Sequence, residues 1–260
     1  MAKSEGYVSA QYLKEAAQIL QKFKERTYEL MELQSGQHIL DAGCGPGVDT
    51  IPLADYVGPQ GSVTGVDIDS EMLDKANQAA DVAGHAQFVR HVEASVAELP
   101  FKDNSFHAIR AERLFQVLPN HIDPNVVMKE FVRVLQPGGR IVLADADWGT
   151  FSVNHSDAAL ERKLVAFFAG QMRPNGYAGR QLMENLIAQE LKVTTLEGHA
   201  LIQTDPEKTT VGAWLQKTAL EAGMATQAEI DRWDGEIKTM QAEGRFYSSV
   251  NMVIAVGHKA

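Results

Sequence analysis

Two short stretches constrain this chain more than the rest of it. Residues 38–47 read HILDAGCGPG, and VTGVDIDSEML begins at Val63. In the first, the apolar pair Ile39 and Leu40 ends in Asp41, and a turn follows through Gly43, Gly45 and Gly47. In the second, an apolar run from Val63 to Val66 ends at Asp67. The pattern is a buried strand entering a glycine turn, with a helix behind it. Glycines let a backbone turn tightly and come close to a ligand. An acid closing the next strand can accept both hydroxyls of a ribose. Together they predict a site for a nucleoside-containing cofactor.

The glycine spacing narrows the cofactor. A dinucleotide fingerprint needs G-x-G-x-x-G. Here the pattern is G-x-G-x-G, and position 48 is Val48. With Asp41 ahead of it, the turn resembles motif I of the class I S-adenosylmethionine (SAM) dependent methyltransferases. The resemblance implies SAM as cofactor, whose amino-acid tail carries an ammonium suited to a carboxylate such as Asp41. Further on, VEASVAELPFKDNSFHAI (92–109) and RVLQPGGRIVLAD (133–145) look like the branch that includes the ubiquinone and menaquinone C-methyltransferases. Glu93 stands where that branch has Asp, and His107 where it has Asp after the Phe. The stretches AERLFQVLP (111–119), ADADWGT (144–150) and RFYSSV (245–250) are closer to small-molecule tailoring methyltransferases.

Helical spacing of Tyr12, Ala16, Ile19, Leu20 and Phe23 predicts a helix over 7–33. Strands are expected near 38–42, 86–94, 105–112 and 139–145, besides the run ending at Asp67. Asp69 or Ser70 caps the helix that runs to Gly84, and Asp123–Pro124 is a strong helix start. Strand–helix alternation of this kind implies a parallel sheet covered on both faces. Later segments read as helices over 156–172 and 179–190, a strand over 192–202, a mostly helical stretch over 206–243 and a closing strand over 246–259. The family resemblance completes this as an α/β, Rossmann-like seven-stranded sheet of order 3-2-1-4-5-7-6. Strand 7 is then antiparallel, with an N-terminal helical lid and helical inserts after strands 5 and 6. Residues 1–260 are expected to form a single methyltransferase domain: a lid over 1–35, a SAM-binding core over 36–146, and substrate-side inserts and closing strands over 147–260.

Length and charge fit that picture. A chain of 260 residues with 45% apolar and 22% charged residues can bury a substantial core. A net charge of -10 repels phosphate backbones and anionic membrane surfaces, so neither nucleic acid nor membrane is an expected partner. The single cysteine, Cys44, rules out an internal disulfide and any cysteine-rich metal centre, and no metal is expected. No apolar run nears the ~20 residues of a membrane span, and MAKSEGYVSAQYL lacks the apolar core of a signal peptide. A cytoplasmic location is expected.

The resemblance places the cofactor on Asp41, Gly43, Cys44, Gly45, Gly47 and Asp67, with Ile68 against the adenine and Glu93 and Ala94 at its edge. Glu112 and Arg113 face its methionine side. Strand topology places substrate at the carboxyl ends of strands 4 and 5. Candidates there are Gln116 and Trp148, with Tyr7 and Tyr12 closing over the site, Phe246 and Tyr247 as a far wall, and Arg180 from a glycine-rich turn. His155, Asp147 and Tyr177 are the candidate catalytic groups; Trp148 and Tyr12 serve equally as packing aromatics. Three functions follow as alternatives: methyl transfer to a small organic acceptor on carbon, oxygen or nitrogen; a SAM-holding fold that cyclises, rearranges or merely binds; and a nicotinamide dehydrogenase, which the glycine spacing disfavours.

Overall fold

A computed structural model describes residues 10–209 and 213–260. Seven strands form one sheet: β1 (His38–Ala42), β2 (Ser62–Asp67), β3 (Val89–Glu93), β4 (Phe106–Glu112), β5 (Leu135–Val153), β6 (Lys192–Gln203) and β7 (Ser248–His258). Their order is β3-β2-β1-β4-β5-β7-β6. The first five pair in parallel, whereas β7 is antiparallel to both β5 and β6. This is the order implied by the family resemblance.

Helices α1 (Ala10–Ile19), α2 (Gln21–Met31), α3 (Thr50–Val57), α4 (Ser70–Val82), α5 (Pro124–Val134), α6 (Ala158–Phe167), α7 (Ala178–Ile187), α8 (Ala213–Glu221) and α9 (Gln227–Ala242) surround it. One face of the sheet is covered by α2, α3 and α6 through Met31, Leu53 and Leu164, and α8 and α9 join the same core outside α6 through Leu215 and Trp233. The other is covered by α5 and α7 through Phe131 and Leu182. Cover on both faces leaves β1, β2 and β4 buried along almost their whole length, on both sides of the pleat.

The helix starts follow local chemistry. Asp69 accepts from the amides of Glu71 and Met72, and Asp123 accepts from Asn125 with Pro124 in the first turn. Four boundaries depart from expectation. The N-terminal helix is interrupted at Leu20, whose backbone sits at φ -92 and ψ 7. The 156–172 helix widens into a π turn at Phe168–Met172. The 206–243 helical stretch divides into a 3-10 turn (Pro206–Lys208), α8 and α9. Finally, β5 runs well past Asp145 to Val153, because its outer part pairs with β7 after β4 has ended. No helix among the described residues is long and apolar enough to cross a membrane.

Candidate active site

The carboxyl ends of β1, β2 and β4 open onto one cavity that extends over β5 and β7. At one end stands the glycine turn. Gly43, Gly45 and Gly47 all take positive φ (76°, 51° and 75°), which a side chain rarely tolerates. Their surroundings differ. A Cβ on Gly45 would meet only Leu13 Cδ1, at 3.4 Å, so its open side faces the cavity. A Cβ on Gly47 would lie 2.9 Å from that of Ala76, so this glycine lets the turn pack on α4. The amide of Gly45 donates to Asp67 Oδ2 at 2.8 Å, and Asp69 donates to Oδ1 at 3.1 Å. The half-buried Asp67 carboxylate is thereby fixed at the cavity wall. Ile68 beside it is 55% exposed, an apolar side chain left open to a flat partner.

Behind the turn lies a buried cluster of charges. Arg110 Nη1 donates to Asp41 Oδ1 at 3.1 Å, and its Nη2 to Glu112 Oε2 at 2.6 Å. Lys24, from α2, donates to Asp49 Oδ2 at 2.8 Å and also to Glu112. Tyr28 donates to Asp49. Burial would lift Asp49 and Glu112, but Arg110 and Lys24 with Asp49, and Lys24, Arg113 and Arg110 with Glu112, outweigh it and hold both below the usual carboxylate range. Asp41 is pushed up to about 6 by burial, which the charges of Arg110 and Lys24 only partly oppose and that of Asp49 reinforces. Arg113 closes β4 in a left-handed conformation, φ 54°, and its Nε donates to Glu112 Oε1 at 2.8 Å. Such backbone strain outside glycine concentrates at ligand sites.

Of the cofactor residues expected from sequence, Gly43, Cys44, Gly45, Asp67, Ile68, Ala94, Glu112 and Arg113 line the cavity. Asp41 does not. It is 2% exposed and engaged by Arg110, so Lys24, Asp49, Arg110 and Glu112 supply the polar floor instead. Gly47 belongs to the packing of α4, and Glu93 points to solvent past Ala94. Burial pushes the Cys44 thiol well up, which makes it a packing group rather than a nucleophile.

On the substrate side, Gln116 and Trp148 line the cavity, and Trp148 Nε1 donates to Gln116 Oε1 at 2.6 Å. The other candidates lie elsewhere. Arg180 is tied to Asp147 at 2.7 Å and lies over the ring of Tyr177, 5.0 Å from its centre. This cluster joins β5 to α7 and removes both Asp147 and Tyr177 from the cavity. His155 is stacked on Trp233 of α9, with ring centres 4.5 Å apart. Phe246 is buried outside the cavity and Tyr247 is exposed; the far wall begins two residues later with Ser248, Val250 and Met252. Tyr7 and the side chain of Tyr12 lie outside the described residues. Lys24, Asp49, Arg110 and Arg173 are not singled out by the sequence; the traces are two, Asp49 closely following the turn and Arg110 interrupting a strand. Among the described residues no group of three or more His, Cys, Asp or Glu side chains is placed to hold a metal ion.

Residues 39–139 match the methyltransferase domain family. Over those residues the chain is a methyltransferase domain, set in the sheet order of the class I SAM-dependent enzymes. The match spans β1 to β5, including the glycine turn and Asp67. A demethylmenaquinone methyltransferase of Bacillus pumilus is 35% identical over 121 residues, 46% of this chain and 50% of that protein. Among solved structures, geranyl diphosphate C-methyltransferase of Streptomyces coelicolor A3(2) superposes with a TM-score of 0.60 at 18% identity, covering 98% of this chain and 85% of that one. The [4+2]-cyclase SpnF superposes with a TM-score of 0.58 at 19% identity, over 92% and 80% of the two chains. The chain spans 50% to 66% of the length of the first curated relatives it matches. SAM is the cofactor of the methyltransferase domain, and the site fits it: an open-sided glycine, a fixed carboxylate for the ribose, an exposed Ile68 for the adenine and an ionic floor for the amino-acid tail.

Proposed function

We propose that this protein transfers a methyl group from SAM to a small organic acceptor with a largely apolar body. The observation that carries the reading is the continuity of the cavity. It runs from Asp67 and the glycine turn to a compartment walled by Trp148, Phe151, Val250 and Met252. Bound SAM supplies an electrophilic methyl group. The chain's own residues orient the two reactants and exclude water, which is where a displacement of this kind gains most of its acceleration. Asp67 and Ile68 hold the nucleoside, and Lys24, Arg110 and Glu112 the zwitterionic tail. The apolar wall presses the acceptor toward the methyl group. The domain is read as one unit, with α1 as a cover over the cavity through Leu13, Ala16 and Ile19. The acidity of the chain favours small molecules over nucleic acid as acceptors.

No histidine lines the cavity among the described residues, and its acids, Asp49, Asp67 and Glu112, are held by the turn and the ionic cluster. That arrangement suits an acceptor whose nucleophile is already ionised or is a carbon. It also suits the second reading, a SAM-holding cyclase or rearrangement catalyst, to which the likeness to SpnF lends weight. Incubation with methyl-13C SAM and a fractionated metabolite pool separates the two. Methyl transfer gives a labelled small molecule and an equal amount of S-adenosylhomocysteine; conversion of a pool component without either product means the second reading holds.

A further inference from the structure

The acceptor compartment has a built cationic corner, and we propose that it receives an oxyanion, a carboxylate or phosphate carried by an otherwise apolar acceptor. This rests on the reading of the cavity as a joint cofactor and acceptor site. Arg173, just after the π turn, lines the cavity. Its guanidinium carbon sits 5.1 Å from the ring centre of Trp148 and 5.0 Å from that of Phe168. The two rings meet edge to face, 5.1 Å apart. Aromatic faces hold a guanidinium through its plane while keeping its charge, and the N–H donors of arginine lie in that plane. The mount is firm, since Phe168 is fully buried and Trp148 is 5% exposed.

A second donor is fixed by the same indole. Trp148 Nε1 donates to Gln116 Oε1, which orients the Gln116 amide so that its NH2 group faces away from that bond. Gln116 is also held through its backbone, its amide donating to Asp145 at 3.2 Å and its carbonyl accepting from Asn175 at 3.3 Å. Trp148 thus orders one charged and one neutral donor at the wall of an apolar compartment. The acidic lining residues Asp49, Asp67 and Glu112 all belong to the cofactor end. A guanidinium beside a neutral donor, in surroundings that water leaves, favours an oxyanion over a hydroxyl of the same size.

The test uses protein saturated with S-adenosylhomocysteine and three probes of equal chain length: octanoate, octyl phosphate and 1-octanol, each titrated calorimetrically. At least one anion is expected to bind about tenfold or more tightly than octanol, and the tighter of the two names the oxyanion. In Arg173→Gln that preference should fall below about threefold, while octanol affinity stays within about twofold. Trp148→Phe keeps a ring under Arg173 and removes the indole N–H. It should lower the preference in part, and it stands as the variant of record if Arg173→Gln does not fold. Equal binding of all three probes by the wild type, binding of none, or a preference that survives both variants would overturn the proposal. Failure to bind S-adenosylhomocysteine at all would instead remove the reading of the site beneath it.

Discussion

Lys24 Nζ donates to Asp49 Oδ2 at 2.8 Å, and both side chains are buried, at 6% and 10% exposure. The bond ties α2 to the residue that follows the glycine turn, and the same ammonium reaches Glu112 at the end of β4. An N-terminal helix thereby supplies part of the floor of the cavity. Removing one partner of such a pair leaves uncompensated charge in the interior, which costs about 3–5 kcal/mol. Lys24→Met is therefore expected to lower unfolding free energy by that order in denaturant titration. A loss under about 1 kcal/mol would mean the cluster is solvated and does not organise the turn.

The break at Leu20 divides the N-terminal segment by role. Phe23, Thr27, Tyr28 and Met31 bury α2 in the sheet-covering layer, while α1 presents Leu13, Ala16 and Ile19 to the cavity. Closure of a cover over the reactants is how such a site sheds water. Hydrogen exchange should show amides of 13–19 gaining protection when S-adenosylhomocysteine is added, with those of 23–31 protected already. Equal protection of 13–19 in both states makes α1 fixed scaffold.

Gly45 and Gly47 of the turn are expected to fail differently. Gly47→Ala drives a Cβ to within 2.9 Å of Ala76 at φ 75°, so thermal stability falls. Gly45→Val is also strained at φ 51°, but its Cβ meets open space instead of packed neighbours, so a loss of cofactor affinity comes on top of the stability cost. Differential scanning calorimetry paired with S-adenosylhomocysteine titration checks both; the reverse pattern would mean Gly45 is the packing glycine.

Asp145 is fully buried between the amides of Ala146 and Gln116, and burial pushes its carboxyl up to about 7. An unfolded aspartate titrates near 3.9. The folded state thus holds the proton more tightly, and this group's contribution to stability is complete below about pH 4 and lost as pH rises through about 7. The loss is on the order of 4 kcal/mol by the conversion of about 1.4 kcal/mol per pH unit. Carboxyl 13C chemical shifts should show Asp145 titrating near neutrality. Titration below about pH 5 would contradict its dry setting.

The parallel half of the fold is legible in the sequence because each strand carries its own apolar run, and Asp69 and Asp123 mark helix starts locally. The antiparallel end came from family likeness, since the extension of β5 to Val153 depends on pairing with β7, about a hundred residues away in sequence. The turn, Asp67 and Ile68 stood out because a close backbone approach and a strand-end acid leave local marks. Lys24 did not: among the Lys and Glu of an amphipathic helix it looks like a solvated residue. Leu20 breaks a helix without proline or glycine to announce it. The far wall was placed at Phe246 and Tyr247 rather than at Ser248, Val250 and Met252, because strand alternation fixes a face but not where along the strand a cavity begins. Arg180 and Tyr177 resemble site residues because polar groups in a glycine-rich turn look alike whether they meet a ligand or each other, and Asp147 because it lies toward the carboxyl end of a parallel strand.

The most direct test is calorimetric titration of S-adenosylhomocysteine into the wild type and Asp67→Ala. Asp67 is fixed by Gly45 and Asp69 at the wall where the ribose is assigned. Charge-assisted hydrogen bonds contribute about 1.5–3 kcal/mol each, and about 1.4 kcal/mol is a factor of ten in affinity. One site is expected in the wild type, and at least about tenfold weaker binding in a variant that still unfolds cooperatively. No binding by the wild type, or equal affinity in the folded variant, would contradict it.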